Sequence, residues 1–416
     1  MRHARVMCRA LGVEGAVLES VGWEADGATF VARVRPTKAE SSRCAECGRR
    51  CPRWGGAGEG RRRWRTVSFG LARAYVEAEA PRVRCPRHGV RVQRVPWARA
   101  QSKFTRVFEN QLAWLTVRTD KTTIASLLGV AWRTVGAILE RVATSMREAR
   151  DPFEGVTRIG IDEVSYRKGH RYLTVVVDHD SGRLLWAHQG HDEETLRKFF
   201  DELGAERSAR IRLVSADGAA WIHNVVAERC PNATLCLDPF HIVQWATRAL
   251  DEVRRSVWNE LRRAGQKERA KALKGARWAL WKNPEDLTSS QRTKLAEIEH
   301  DNKKLFRAYL LKEHLREVFK LTANPTYAKE CLERWLHWAT HSRLPAFVKV
   351  ARTIRRHRAA VYSVLEFGLS NARIEAANTK LRLITRLAFG FHSHKPLIAL
   401  AMLRLGGLCP PLPSLS

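Results

Sequence analysis

The chain has 416 residues, with 73 Lys plus Arg against 43 Asp plus Glu, so its formal net charge is 73 − 43 = +30 and its pI is near 10.5. Such an excess favours polyanionic partners, because cationic side chains neutralise phosphates and release their counterions. No apolar run reaches the ~18 residues of a membrane span, and Gly and Glu interrupt Ala10 to Leu18 where a signal peptide would be apolar, so a cytoplasmic protein with a nucleic-acid partner and no membrane partner is expected.

The length calls for about two to four domains. Nine cysteines in a cytosolic chain argue against a disulfide framework, and those between Cys44 and Cys85 point to a metal instead. Cys44-Ala-Glu-Cys47 and Cys85-Pro-Arg-His88 are two C-x-x-(C/H) knuckles separated by 37 residues. Each offers two ligands from one tight turn, with Gly48 and Pro86 as turn formers. Cys44, Cys47, Cys85 and His88 therefore make a candidate site for one structural Zn²⁺, with Cys51 competing for one ligand position. Between the knuckles, Arg61-Arg62-Arg63-Trp64-Arg65 places phosphate-binding arginines on a small β-rich domain, residues 1–100.

Residues 101–150 read as three helices, Phe104 to Leu115, Thr122 to Leu128 and Trp132 to Ala143. Thr122 and Thr123 look like the cap of the second. Ala125 stands four residues before Gly129, and the third helix carries Val135, Ile138 and Leu139 on one face. That is a helix-turn-helix pattern: Ala permits close approach and Gly the tight turn. Its recognition helix would present Trp132, Arg133 and Thr134 to the major groove.

From Gly155 the period becomes strand-like. Val156 to Ser165, Tyr172 to Asp178 and Arg183 to His188 read as strands, then Glu194 to Leu203 as a helix, Ile211 to Ser215 as a strand, Ala219 to Glu228 as a helix and Ala233 to Leu237 as a strand. The order β-β-β-α-β-α-β is a ribonuclease-H-like layout, which makes residues 151–243 the first part of a catalytic core. It places Asp162 on the central strand and Asp217 just past its neighbour, so that two carboxylates 55 residues apart can share a metal. Oxygen ligands at strand ends suit Mg²⁺ or Mn²⁺. Glu163 is set apart by strand alternation, which turns it away from Asp162.

Residues 244–361 are helical and basic, broken at Asn283-Pro284, Asn324-Pro325 and Leu344-Pro345, and read as an insertion; runs such as Arg262-Arg263 suit phosphates. The core then closes through residues 362–416. There Leu369 to Leu387 forms a helix whose Asn371, Glu375 and Asn378 share one polar face flanked by Ile374, Leu381 and Ile384. Asp162, Asp217 and Glu375 are the candidate catalytic residues and ligands of two Mg²⁺ ions. A pair of such ions supplies nucleophile activation, leaving-group stabilisation and charge neutralisation in phosphodiester chemistry.

With these motifs in place, the chain resembles bacterial insertion-sequence transposases of the DDE class, ISL-three type, from the Cys44 knuckle to about Leu403. The signatures are Gly160-Ile-Asp-Glu, Asp217-Gly, Leu237-Asp-Pro-Phe-His241, and Asn371-Ala-Arg-Ile-Glu-Ala-Ala-Asn378 leading into Arg386-Leu-Ala-Phe-Gly-Phe391. The resemblance carries the triad onto Asp162, Asp217 and Glu375, and matches Asp238 and His241 to a (C/D)-x-x-H motif that supports the site, with Asn371 and Asn378 beside it. Members commonly show Cys in both knuckles; this chain has His88, and zinc accepts either. Implied are binding of terminal inverted repeats and target DNA, strand cleavage and strand transfer, a homo-oligomer on DNA, and association with the nucleoid when bound. A ribonuclease-H-like nuclease that cuts without joining, or a silent DNA-binding regulator, is the alternative.

Overall fold

Arg73–Glu79 buries Ala74, Val76 and Ala78 while Arg73 and Glu79 stay exposed, the two-residue period of a strand with one face on a core. The computed structural model describes residues 2–55, 60–321, 323–368, 372–388 and 390–412. It divides into two units, Met1–Pro152 with Leu383–Ser416, and Phe153–Arg382.

The first unit opens with α1 (Arg2–Ala10), β1 (Ala16–Trp23) and β2 (Thr29–Pro36), followed by β3 (Arg53–Trp54), β4 (Arg61–Arg65), β5 (Arg73–Glu79), β6 (Arg82–Cys85) and β7 (Gly89–Val92). One sheet has the order β1-β2-β5-β4 and a smaller one β3-β6-β7. Phe30, Val34, Trp64, Val76 and Trp97 fill the core of the larger sheet. Three helices follow: α2 (Arg106–Thr116), α3 (Lys121–Leu128) and α4 (Trp132–Ala149). The cap of α3 is Asp120, whose Oδ1 accepts from Thr122 N and Thr123 N; the threonines are the capped residues, because only Asp120 stands before the first helical N–H groups. Gly129 ends α3 at φ 56°, a left-handed conformation that costs a glycine little. The chain turns through 104° into α4, within the ~90–120° of helix-turn-helix units. Val135, Ile138, Leu139 and Val142 bury the inner face of α4.

The second unit begins with β8 (Arg158–Arg167), β9 (Arg171–Asp178) and β10 (Leu184–Gln189), then α5 (Glu193–Leu203), the short α6 (Ala205–Ser208), β11 (Leu213–Ala216), α7 (Ala220–Arg229) and β12 (Thr234–Leu237). The sheet order is β10-β9-β8-β11-β12, antiparallel up to β8 and parallel from β8 through β11 to β12. Leu196, Phe199 and Phe200 of α5 and Ile222, Val225 and Val226 of α7 cover one face, against Ile159, Ile161 and Val214.

Helices then succeed one another: α8 (Pro239–Arg263), α9 (Lys267–Gly275), α10 (Arg277–Trp281), α11 (Ser289–Asp301), α12 (Lys303–Val318), α13 (Pro325–His341), α14 (Pro345–Arg356), α15 (Arg358–Phe367) and α16 (Ala372–Leu387). The breaks expected at proline are helix starts, since a proline in the first turn forfeits no helical hydrogen bond. One apolar core runs from Leu237 and Ile242 through Leu250, Leu305 and Leu336 to Phe347 and Ile354. The closing stretch 362–416, expected as one piece, is parted within α16. Residues from Leu383 on group with the first unit, where the terminal helix His394–Leu405 packs along α4. Among the described residues no single helix is long and apolar enough to cross a membrane.

Candidate metal centre and active site

The first knuckle is a turn in which Gly48 N donates to Cys44 O and Cys44 N to Arg49 O; the second is the tip of the β6–β7 hairpin, where Cys85 pairs with Gly89. The ligand atoms of Cys44, Cys47, Cys85 and His88 all lie within 4.8 Å of one another. Cys47 Sγ is 3.7 Å from Cys85 Sγ, and His88 Nδ1 is 3.7 Å from Cys44 Sγ and 3.6 Å from Cys85 Sγ. Tetrahedral zinc with ~2.3 Å Zn–S and ~2.0–2.1 Å Zn–N bonds has edges of about 3.6–3.8 Å. The four residues therefore fit the ion. Burial opposes ionisation of Cys85, but the N–H groups of Arg87 and His88 and the His88 ring outweigh it and bring the thiol down to about 6. Cys51 is left out of the set, its thiol turned to the Arg49 carbonyl at 3.3 Å.

In the second unit, Asp162 pairs across β8 with Val175 of β9, while on the other side Ser215 of β11 stands level with Gly160. Continuing that register brings Asp217 level with Asp162, and alternation puts Gly160, Asp162, Ser215 and Asp217 on one face. The helix α16 docks on this face through three residues. Ile374 occupies the space a Cβ on Gly160 would need. Arg373 donates to the carbonyls of His179 and Asp180. Asn378 donates to Asp162 Oδ2 at 2.5 Å, and its buried Oδ1 has no hydrogen-bond partner among the described residues.

Burial pushes the Asp162 carboxyl above its ordinary value and the Asp217 charge adds to this, against the Glu163 N–H, His241 and Asn378. Glu163 rises to about 7, first through burial and then through the charges of Asp217 and Asp162. Alternation thus does not take Glu163 out of the acidic neighbourhood. Glu375, exposed in the first turn of α16, is raised by what burial it has and by Asp238, with His241 and Arg382 opposing. His241 acts on both Asp162 and Glu375. Asp238 is buried at the start of α8, accepts from Phe240 N at 3.0 Å, and lies 3.7 Å from His241 Nε2. Asp162, Asp217 and Glu375 do not close into a set as tight as the Cys–His cluster among the described residues. Asn371 lies outside the described residues.

His179 and Arg373 were not singled out in the sequence. His179 is buried, its Nε2 2.6 Å from Ser215 Oγ, although its setting Asp178-His-Asp-Ser-Gly182 reads as an exposed turn. Of the residues expected to meet DNA, Arg133 and Arg262 are exposed and Thr134 is half-buried. Trp132 is occupied within the first unit: Lys121 Nζ sits 3.5 Å from its ring centroid and His392 meets it edge-on.

Comparison with known proteins now defines the class. Residues 159–401 match the ISL3 DDE family described as "Transposase", residues 93–143 the "Helix-turn-helix domain of transposase family ISL3", and residues 40–88 the "zinc-finger of transposase IS204/IS1001/IS1096/IS1165". The chain is 51% identical, over 99% of its own length and 98% of the relative's, to the transposase for insertion sequence element IS1557 of Mycobacterium tuberculosis. It is 26% identical, over 92% and 94%, to the transposase for IS1001 of Bordetella parapertussis. The chain belongs to the ISL3 family of insertion-sequence transposases.

Proposed function

We propose that this transposase binds the terminal inverted repeats of its insertion sequence, cleaves a DNA strand there and joins the freed 3′-OH to target DNA. Its catalytic core would be ribonuclease-H-like, residues 151–243 together with α16, interrupted by the helical insertion 244–361. The observation that carries this reading is the docking of α16 on the sheet, which couples Asn378 to Asp162 beside Asp217. The central β8 between antiparallel β9 and parallel β11 supports the fold assignment.

Asp162, Asp217 and Glu375 would hold two divalent ions, Mg²⁺ or Mn²⁺. The donor set fits them: the Asp162 carboxyl, raised by burial and by the Asp217 charge, and the Glu375 carboxyl, raised by burial and by Asp238, are both short of positive charge. When bound, such ions activate the attacking hydroxyl and stabilise the leaving oxygen. Asp162, which lies between Asp217 and the helix that bears Glu375, would be the central ligand of the set. The Asn378 amide orients its carboxylate. His241, anchored near Asp238, provides a donor for the scissile phosphate. Arg133 reads a base edge and Arg262 a phosphate. The protein would act as a homo-oligomer on DNA, in the bacterial cytoplasm and on the nucleoid.

Single-turnover cleavage of a duplex carrying the element end tests the assignment. Asp162→Asn, Asp217→Asn and Glu375→Gln should each abolish cutting and leave duplex affinity nearly intact, since the cationic surface supplies affinity. Near-wild-type cutting by any one removes that residue from the set.

A further inference from the structure

The first unit contains an open cavity of about 1200 Å³, walled by the Cys47–Gly48 knuckle, β4, the segment from Arg91 to Arg106, and the second half of α4. The Trp132–Thr134 turn takes no part in it. Eight cationic side chains line it against three acidic ones, Glu46, Glu140 and Glu148. Several of the cations are already matched. Arg63 binds Glu24 and Glu77, while Arg99 and Arg141 both hold the fully buried Glu109, which also accepts from Ser102.

Arg106 is not matched. It occupies the first position of α2, where the helix dipole presents positive charge and disfavours a cation. Its Nε is buried without a hydrogen-bond partner, and its guanidinium makes no ion pair among the described residues. Burial lowers its pKa and the neighbouring Arg99 and Arg94 lower it further, opposed only by Glu109. Arg94 and Lys103, on the same cavity and exposed, also have no ion pair among the described residues. The buried Lys121 offers a contrast: its ammonium is roofed by the Trp132 ring, whereas Arg106 opens on the cavity.

A half-buried guanidinium facing two others, at the positive end of a helix, lacks an anion. Arginine's planar fork of donors matches a phosphate. The cavity exceeds the ~300–1,000 Å³ of clefts that enclose small ligands, and its openness suits a polymer passing through.

We propose that this cavity is a second DNA-contact site, separate from the base-reading turn of α4, which grips the phosphodiester backbone of duplex DNA with Arg106 at its centre and Arg94 and Lys103 flanking. The proposal rests on the reading of the chain as a DNA-binding transposase.

Full-length, zinc-loaded protein and a labelled random-sequence duplex provide the test, through the slope of log K against log salt concentration. Arg106→Gln should flatten that slope by about 0.9, the loss of one phosphate contact. It should also weaken binding several-fold at low salt and melt no lower than wild type, because it removes an unmatched cation. Arg106→Lys should keep the slope. Arg94→Ala, at an exposed position, should flatten it too. Unchanged slopes in Arg106→Gln and Arg94→Ala, with wild type binding normally, overturn the proposal. A lowered melting point in Arg106→Gln that Arg106→Lys restores, with an unchanged slope, also overturns it by making Arg106 structural. Failure of wild type to bind duplex at all would instead sink the DNA-binding reading.

Discussion

The two candidate metal-binding regions are built in opposite ways. The Cys–His cluster comes from a turn and a hairpin tip whose own backbone hydrogen bonds bring the ligand atoms of Cys44, Cys47, Cys85 and His88 within 4.8 Å of one another. The acidic region draws on a strand, the end of its neighbour and a helix more than 200 residues away in sequence, with Glu375 exposed and Asp162 half-buried. Structural zinc sites close around the ion, whereas catalytic sites keep room for substrate. Damage to the first region should therefore cost folding, and damage to the second should cost chemistry.

The largest effect is expected at the knuckles. Cys85→Ser removes a proposed zinc ligand whose thiol the backbone already favours as thiolate. Binding free energy at structural zinc, about 10–16 kcal/mol in small zinc domains, is folding free energy. The variant should lose its zinc and the melting transition of its N-terminal segment, read by elemental analysis and circular dichroism of the full chain. A full equivalent of zinc and an unchanged melt would break the comparison.

The sheet beneath the acids should show its rigidity through His179. Burial, then Arg158, lowers its pKa from 6.5 to about 4, with Asp180 and Asp178 opposing and Arg373 assisting. The folded state favours neutral imidazole, so this contribution is complete above pH 6.5. It is lost as pH falls toward 4, because the unfolded chain takes up the proton first. The loss is about 3 kcal/mol. Urea denaturation across that range should show it in wild type and not in His179→Gln. Parallel curves for the two proteins would mean that His179 does not titrate as its burial requires.

Much of this was legible in advance, for identifiable reasons. The five strands of the second unit were expected within a few residues because apolar runs bounded by Gly, Asp and Pro mark strands locally. Val156 to Ser165, for example, became Arg158–Arg167. The knuckle spacing picks out the four residues whose side chains cluster, but only the direction of the Cys51 thiol sets the fifth candidate apart. The contacts that seat α16 were not legible. Arg373 reaches carbonyls 193 and 194 residues away, and no local pattern carries that pairing. Nor were α1 and β1 apparent: most of β1 is exposed, so its sequence lacks the alternation by which strands are recognised.

Asn378 sharpens the comparison from the chemical side. Its amide is a direct link between α16 and Asp162, and its Oδ1, without a hydrogen-bond partner among the described residues, offsets part of what that link contributes to stability. Asn378→Ala should melt close to wild type, yet lower cleavage and Mn²⁺ affinity by about 10–100-fold, as loss of a residue that orients a metal ligand does. Calorimetric Mn²⁺ titration alongside single-turnover cleavage measures both. An unchanged Mn²⁺ affinity with a lowered melting point would make Asn378 a packing residue only.

The smallest effects belong to the proposed DNA contacts, where neither folding nor chemistry should change. Arg133 is exposed in the first turn of α4, next to a Trp132 whose ring Lys121 already covers, so Arg133 is the better placed of the two to reach a base. Arg262 is exposed on α8 with its guanidinium 4.8 Å from the Trp258 ring, a position suited to a phosphate. Arg133→Ala should cost about 1–3 kcal/mol on the element end and little on random duplex. Arg262→Ala should weaken both alike and reduce the salt slope by about 0.9. Titrating both variants on both DNAs over a salt series separates the two roles, and equal losses for Arg133→Ala on the two DNAs would reduce it to a backbone contact.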